Sequence, residues 1–143
     1  MNLPRILALD VGDRTIGLAL SDDLGLTAQG RPTLERRGSR QDLETLAKLV
    51  AEEGVGEVVV GLPLHLDGHA GPQAEKVLAF VEGLRTALGI PVTTWDERLT
   101  TVAAERALLE GGVRRAKRKS LRDRLAAVLI LQGYLERRRH GGA

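Results

Sequence analysis

The order of strand-like and helix-like segments restricts this chain to one fold class. Five segments have the apolar or alternating pattern of β-strands, and they lie at residues 5–10, 15–21, 26–34, 58–60 and 91–95. Short turns join the first three, which favours an antiparallel meander. Helix-like segments precede the last two, which favours parallel βα units because a parallel connection needs a crossover. The sequence therefore predicts an α/β fold: a mixed five-stranded sheet, three antiparallel strands then βα units, with helices on both faces.

Start and stop signals predict four helices. The first begins near Ser39. The second begins at Pro72, which suits a first helical turn, and stops at Gly89. The other two are predicted over 100 or 101 to about 110, and over about 120 to 138.

Length and composition indicate one ordinary globular domain. The chain has 143 residues, close to the usual domain size, and we expect one domain over residues 1–138 with a short basic tail over 139–143. Because the chain has no cysteine, disulfides, thiolate nucleophiles, Zn–Cys sites and iron–sulfur clusters are excluded. No apolar run approaches the roughly 18 residues of a membrane span, so we expect a cytoplasmic protein that does not bind a membrane.

Basic residues are concentrated near the C-terminal end. Residues 113–143 carry 10 Lys/Arg and 2 Asp/Glu, whereas the preceding residues carry 11 and 17. Such a cluster attracts phosphate backbones by releasing counterions, so we predict nucleic-acid contacts in the basic segment, defined as residues 114–124; a solvated loop is the alternative. The predicted contacts are Arg114, Arg115, Lys117, Arg118, Lys119 and Arg122. Since the chain has only three Phe, Trp and Tyr residues, a platform that stacks several single-stranded bases is not expected.

Acidic residues follow the ends of the predicted parallel strands. Asp10 ends the first strand, and Asp96 and Glu97 follow the last. The carboxyl ends of parallel strands form the usual ligand-binding edge of such a sheet, and clustered carboxylates suit a hard cation, Mg²⁺ or Mn²⁺. A structural role as a turn or cap is an equal alternative for Asp10. Asp123 fits a capping partner of Ser120, but its position as the one acid within the basic segment indicates a metal ligand.

Other motifs are weaker. The segment 12–17 is bounded by glycines but lacks the Lys-Ser/Thr of a P-loop, and the chain has no Gly-x-Ser-x-Gly sequence. His65 and His69 lie in a predicted loop without the intervening glutamate of a zinc protease. We assign these two histidines no role.

Several blocks, in order along nearly the whole chain, resemble the YqgF/RuvX family. The blocks are 8–22 (ALDVGDRTIGLALSD), 59–68 (VVGLPLHLDG), 95–101 (WDERLTT), 123–127 (DRLAA) and 130–135 (ILQGYL). The block at 95–101 is the most specific, since other ribonuclease-H-like and sugar-kinase-like folds share the opening Asp-x-Gly. One departure is Asp13, where the family often has a small hydroxyl residue.

The resemblance implies a ribonuclease-H-like fold and a hydrolase: a nuclease that matures the 5′ end of pre-16S ribosomal RNA. The same resemblance implies that Asp10, Glu97 and Asp123 form a metal-binding and catalytic acidic triad. Two Mg²⁺ or Mn²⁺ ions would be bridged by Asp10, and Arg98 with the basic segment would position the substrate backbone.

Several alternatives concern the substrate and the class of protein. The expected partners are structured RNA of the ribosome, or branched or single-stranded DNA, bound by a monomer or a homodimer. The nearest rival is a Holliday junction resolvase, for which a two-fold dimer would present two sites to two strands. A sugar-kinase-like or chaperone-like ATPase would need two such domains, and this chain supplies one. A non-catalytic RNA-binding assembly factor is the third alternative.

Overall fold

A computed structural model of the chain describes residues 4–98 and 115–140, with side chains in the last helix from residue 124 onward. The described elements are β1 (Arg5–Val11), β2 (Thr15–Ser21), β3 (Ala28–Glu35), α1 (Ser39–Glu53), β4 (Val55–Leu62), α2 (Pro72–Leu88), β5 (Val92–Asp96) and α3 (Arg115–Arg139). The predicted helix over 100 or 101 to 110 and most of the predicted basic tail lie outside the described residues.

The five strands form one mixed sheet in the order β3-β2-β1-β4-β5. β1 pairs antiparallel with β2, and β2 pairs antiparallel with β3. β1 pairs parallel with β4, and β4 pairs parallel with β5. The predicted mixed sheet with three antiparallel strands followed by βα units is confirmed.

Alternate residues of the central strands enter two different apolar layers. Leu7 and Leu9 of β1 join the layer beneath α1 and α2. Ile6 and Ala8 of the same strand join the layer beneath α3, together with Ile130 of that helix. This period of two is inherent to a pleated strand, and each fully buried Leu or Ile contributes about 1.5–3 kcal/mol. The central strands are therefore apolar on both faces, and helices cover both.

Three boundaries differ from the sequence prediction for local physical reasons. β3 begins at residue 28 because the Asp22 carboxylate accepts hydrogen bonds from the backbone N–H groups of Leu26 (2.7 Å) and Thr27 (3.1 Å). β4 begins at residue 55, directly after the left-handed Gly54 that ends α1. α3 already includes residues 115–119, ahead of the predicted start near residue 120, since Lys and Arg are good helix formers.

The two edge strands carry features that hinder pairing with another strand. β3 contains Pro32, which lacks a backbone donor. On β5, the carbonyl of Val92 accepts hydrogen bonds from Nη2 (3.0 Å) and Nε (3.3 Å) of Arg85. Among the described residues, no helix combines the length and apolar character that crossing a membrane requires.

Candidate active site

Asp10 lies near the end of β1, on the face of the sheet that α3 covers. Leu9 of β1 pairs with Val60 of β4, so Asp10 lies level with Gly61 on the neighbouring strand. Leu7 and Leu9 enter the layer under α1 and α2, and strand alternation therefore directs the partly buried Asp10 to the opposite face, toward α3.

Glu97 reaches the same face from β5. Its backbone N–H donates to the carbonyl of Leu62 (3.3 Å), which fixes the chain just beyond the strand end. Its Oε2 atom is shielded from solvent and lies against Gly61, where a side-chain Cβ would overlap both this oxygen and Cδ1 of Ile130. Gly61 therefore makes room for the Glu97 carboxylate beneath α3.

These positions bring Asp10 and Glu97 to one edge of the sheet and one face. Asp10 is on the strand beside Gly61, where neighbouring strands are about 4.8 Å apart, and Glu97 contacts Gly61 itself. Carboxylate oxygens are the donors that Mg²⁺ and Mn²⁺ prefer, so this pair suits a hard divalent cation. Within residues 4–98 and 124–140, no three His, Asp or Glu side chains form a group that could hold a metal ion.

The remaining predicted site residues fall at the margin of the described chain. The side chain of Asp123 lies outside it, although its backbone belongs to α3. Arg114 also lies outside the described residues. The rest of the predicted phosphate contacts have their backbone in α3 and side chains outside the description: Arg115, Lys117, Arg118, Lys119 and Arg122.

Arg98 is held by the residue that ends β5. Its Nε atom donates to both carboxylate oxygens of Asp96, at 3.0 and 2.9 Å, and its Nη1 donates to the carbonyl of Leu66 (3.1 Å). The hydrogen bonds from Arg98 lower the pKa of Asp96 below its ordinary value, and the same contact raises the pKa of Arg98. Arg98 thereby ties the 62–71 loop to the end of β5, beside Glu97.

A buried ion pair braces the turn that follows Asp10. Nε of Arg36 donates to the carboxylate of Asp42 (2.8 Å), whose side chain is 2% exposed. Nη1 of the same arginine donates to the carbonyl of Gly12 (2.9 Å). Asp42 also accepts the N–H of Arg37 (3.0 Å), and the helix cap is Gly38 at φ 118°, with no side-chain capping bond. Asp42 thus links the start of α1 to the β1–β2 turn.

Asp13 and the two histidines lie at the periphery of this edge. Asp13 is exposed and lies 3.7 Å from Nζ of Lys76. The His65 and His69 rings stack with centroids 4.2 Å apart, and Nδ1 of His69 contacts the Asp67 carboxylate. The backbone N–H of His69, followed by its ring, lowers the pKa of Asp67. These contacts give the two histidines a role in shaping the 62–71 loop.

Sequence reasoning missed Gly61 and Asp42. A glycine after three buried valines is a weak signal for close approach of another side chain, and only the strand register shows that Glu97 fills the space. Asp42 resembles an ordinary acidic residue in a first helical turn. Only the three-dimensional structure shows that the Asp42 side chain is buried against Arg36.

Comparison with known proteins shows matches over most of the chain. The model of the RuvX family, described as Holliday junction resolvase, matches residues 4–137. A protein of Clostridioides difficile named "Putative pre-16S rRNA nuclease" is 55% identical over 132 residues, covering 92% of this chain and 94% of that one. A protein of the same name from Desulforamulus reducens is 50% identical, covering 92% and 96%.

Solved structures with low sequence identity share the fold. RuvC of Thermus thermophilus in complex with a Holliday junction substrate superposes with a TM-score of 0.63 at 16% identity, covering 96% of each chain. The fowlpox virus Holliday junction resolvase gives a TM-score of 0.56 at 14% identity, covering 92% of this chain and 98% of that one. The predicted ribonuclease-H-like fold is confirmed, and with a family model spanning residues 4–137 the chain belongs to the RuvX family.

Proposed function

We propose that this protein is a metal-dependent nuclease that hydrolyses phosphodiester bonds. The observation that carries the proposal is the convergence of Asp10 and Glu97, 87 positions apart in sequence, on one edge and one face of the sheet. Membership of a resolvase family and relatives named as nucleases support the same chemistry.

Asp123 is the proposed third carboxylate. Along α3, position 123 lies one turn before Ala127 and two turns before Ile130, and both of these face the sheet. Residues spaced by four and seven positions share one side of a helix, so this spacing supports placing position 123 over the sheet face that carries Asp10 and Glu97. Two Mg²⁺ or Mn²⁺ ions held by the three carboxylates would supply a hydroxide nucleophile and charge stabilisation at the leaving oxygen.

The protein's own side chains would position the substrate strand around these acids. The backbone of Glu97 is fixed by its hydrogen bond to Leu62, and its carboxylate lies in the space left by Gly61. The carboxylate therefore needs little reorganisation to act in the reaction. Residues 115–124 of the basic segment lie on the same helix as position 123, and their charges would bring phosphates to the acids. Arg98 has five N–H donors and would contribute a further phosphate contact through those not directed at Asp96 and Leu66.

The proposed substrate is the 5′ region of pre-16S ribosomal RNA. Relatives with 50–55% identity over 92% of the chain have pre-16S rRNA in their names, and the choice of the 5′ end follows from the family resemblance. A four-way DNA junction is the second candidate, since the family description and the superposed RuvC complex both name it. We place the protein in the cytoplasm with ribosomal RNA as its partner, as a monomer on RNA or a homodimer on a junction.

A cleavage assay tests the proposal directly. Purified protein with Mg²⁺ or Mn²⁺ is incubated with a precursor 16S fragment, single-stranded RNA and DNA, and a four-way junction. We expect cleavage of the precursor, no cleavage in EDTA, and at least a hundredfold loss in Asp10→Asn, Glu97→Gln and Asp123→Asn. Asp13→Asn is the matched control, because this acid is exposed in the neighbouring turn, and it should cut normally.

Each other outcome has a definite meaning. Preferential cutting of the junction would replace the RNA proposal with the resolvase alternative. If folded wild-type protein cuts no substrate, and Asp10→Asn still supports ribosome maturation in cells, the protein is a non-catalytic assembly factor. Equal cutting by the three acid variants would refute the proposed site.

A further inference from the structure

A cleft lies beside the candidate active site, at the end of β5. It is lined by Leu66, Trp95, Asp96, Arg98 and Arg137, and its volume is about 470 Å³. This volume falls within the roughly 300–1,000 Å³ typical of small-ligand sites. None of the sites predicted from the sequence includes Trp95, the aromatic residue of this cleft.

The Trp95 ring is fixed in place by the sheet and by α3. Trp95 pairs with Gly61 in the β4–β5 register. On the helix side, a Cβ at Gly133 would lie 3.0 Å from Cζ2 of the ring, so the indole packs directly over the helix at this position. Tyr134 meets it edge to face, with centroids 6.1 Å apart at 84°. A ring held in this way loses little conformational entropy when a ligand stacks on it.

The charges around the ring favour an anionic, planar ligand. The exposed guanidinium of Arg137 lies over the Trp95 ring, 6.0 Å from its centre, so a base that stacks on this face would displace the guanidinium toward its own phosphate. Asp96 also lines the cleft, but its charge is compensated by the hydrogen bonds from Arg98. An aromatic face beside an arginine is the combination that binds an unpaired base together with its phosphate.

The cleft is close enough to the candidate active site to hold the same strand. Trp95 and Glu97 are two residues apart and share the face beneath α3. Two residues of extended chain span about 7 Å. A nucleotide stacked on Trp95 would therefore adjoin the one whose phosphate reaches Asp10 and Glu97.

We propose that this cleft binds one unpaired nucleobase of the substrate strand, stacked on Trp95, with Arg137 bound to the adjoining phosphate. The proposal rests on the proposed function, in that the ligand is a nucleic-acid strand. It adds a subsite for a single base, which one ring can provide without the platform of several rings that the sequence makes unexpected.

The experiment uses the intrinsic fluorescence of Trp95, the only tryptophan of the chain. Full-length protein in EDTA, where metal-dependent cleavage is suppressed, is titrated with a short single-stranded RNA and with an abasic chain of equal length. We expect the RNA to quench the emission to saturation and the abasic chain to bind without comparable quenching. Equal quenching by both chains would overturn the proposal.

Variants provide an independent measurement by fluorescence anisotropy of a labelled RNA. Trp95→Leu should bind RNA about tenfold more weakly, the loss expected for one base–aromatic stack, and should bind the abasic chain as the wild type does. Trp95→Phe retains a ring and should keep most of the affinity, which separates stacking from a folding defect. Arg137→Gln should weaken binding of both chains equally. Wild-type RNA affinity in folded Trp95→Leu would also overturn the proposal.

The outcomes distinguish this subsite from the nuclease itself. A protein that cuts RNA but shows no base-dependent quenching lacks the subsite and remains a nuclease. A protein that shows base-dependent quenching but cuts nothing retains the subsite and fails as a nuclease.

Discussion

At the residue scale, Gly61 is the position where the smallest change should have the largest effect on the candidate site. In Gly61→Ala, the added Cβ would overlap Oε2 of Glu97 and Cδ1 of Ile130. We expect displacement of the Glu97 carboxylate and a loss of cleavage of at least tenfold, with a decrease in the free energy of unfolding of about 1–3 kcal/mol from overpacking. Steady-state cleavage rates and urea denaturation measure the two effects.

Gly83→Ala is the matched control for that substitution. Its Cβ would lie 3.0 Å from Cδ1 of Leu43, in the layer on the opposite side of the sheet. This variant should retain cleavage activity. If both variants lose activity to the same extent, the effect comes from general destabilisation and the role given to Gly61 is wrong.

Asp42 is the second single residue with a large expected effect, in this case on stability. Asp42→Ala leaves the Arg36 guanidinium without its carboxylate in a largely buried setting. Breaking a buried pair from one side costs about 3–5 kcal/mol, which urea denaturation would measure. The exposed pair of Arg40 and Glu44 offers a control, since Glu44→Ala should change the free energy of unfolding by less than about 1 kcal/mol. Similar losses in the two variants would contradict the brace assigned to Asp42.

The positions of some site residues could be predicted from the sequence, and those of others could not. The placement of Asp10 and Glu97 at one edge of the sheet could be predicted, because strand ends and acidic side chains are both visible in the sequence and parallel strands share an edge; the catalytic and metal-binding roles of both residues stay predictions. Gly61 and Asp42 could not, because the partner of each comes from an element far along the chain. Asp123 stays a prediction, supported by its helical spacing from Ala127.

At the element scale, α3 is fastened to the sheet by a polar contact as well as by its apolar side. The hydroxyl of Tyr134 donates to Glu57 of β4, and Nη1 of Arg138 donates to the same carboxylate at 2.9 Å. Burial, followed by the contact with Glu57, raises the pKa of Tyr134 above 10.0. This end of the helix is therefore held against β4 while its other end carries the basic segment.

The ionisation of Tyr134 tests this fastening. Because the folded pKa is raised, the protonated phenol stabilises the fold at pH values below its ordinary pKa of 10.0, and this contribution is lost as the pH rises through the folded value. Tyr134 is the only tyrosine, so phenolate absorbance reports it directly, and we expect a midpoint above 10.0 that falls in Glu57→Gln. A wild-type midpoint at or below the ordinary value would contradict the contact.

Most elements could be predicted from the period of apolar residues, and the errors have local causes. α2 follows the signals at Pro72 and Gly89 closely. The start of β3 was wrong because the sequence does not show that Asp22 occupies the amides of the next residues. The predicted start of α3 near residue 120 is wrong because the basic residues before it, which carry no apolar period, propagate a helix well.

At the scale of the whole molecule, charge is divided between the two layers of helices. The basic segment belongs in large part to α3, whereas α1, on the other face, carries paired charges such as Lys48 with Glu52. We infer that RNA approaches from the α3 side, where the acids also lie.

Salt dependence tests this direction of approach. Replacing three basic residues, Lys117→Gln with Arg118→Gln and Lys119→Gln, should lower the slope of log affinity against log salt by about 2 for single-stranded RNA. The cleavage rate at saturating RNA should change little, since these residues bind rather than react. The control, Arg40→Gln with Lys48→Gln on α1, should leave the slope unchanged. An equal effect in the control would place the RNA elsewhere.

The side chains on the two edge strands hinder self-association through the sheet. An incoming strand at β5 would have to displace the Arg85 side chain from the Val92 carbonyl, and one at β3 would meet Pro32. Growth of a fibre by adding strands to the sheet is therefore disfavoured at both edge strands. A dimer of this protein would instead join through side chains of its helices and loops, and each copy would keep its own five strands when the pair separates.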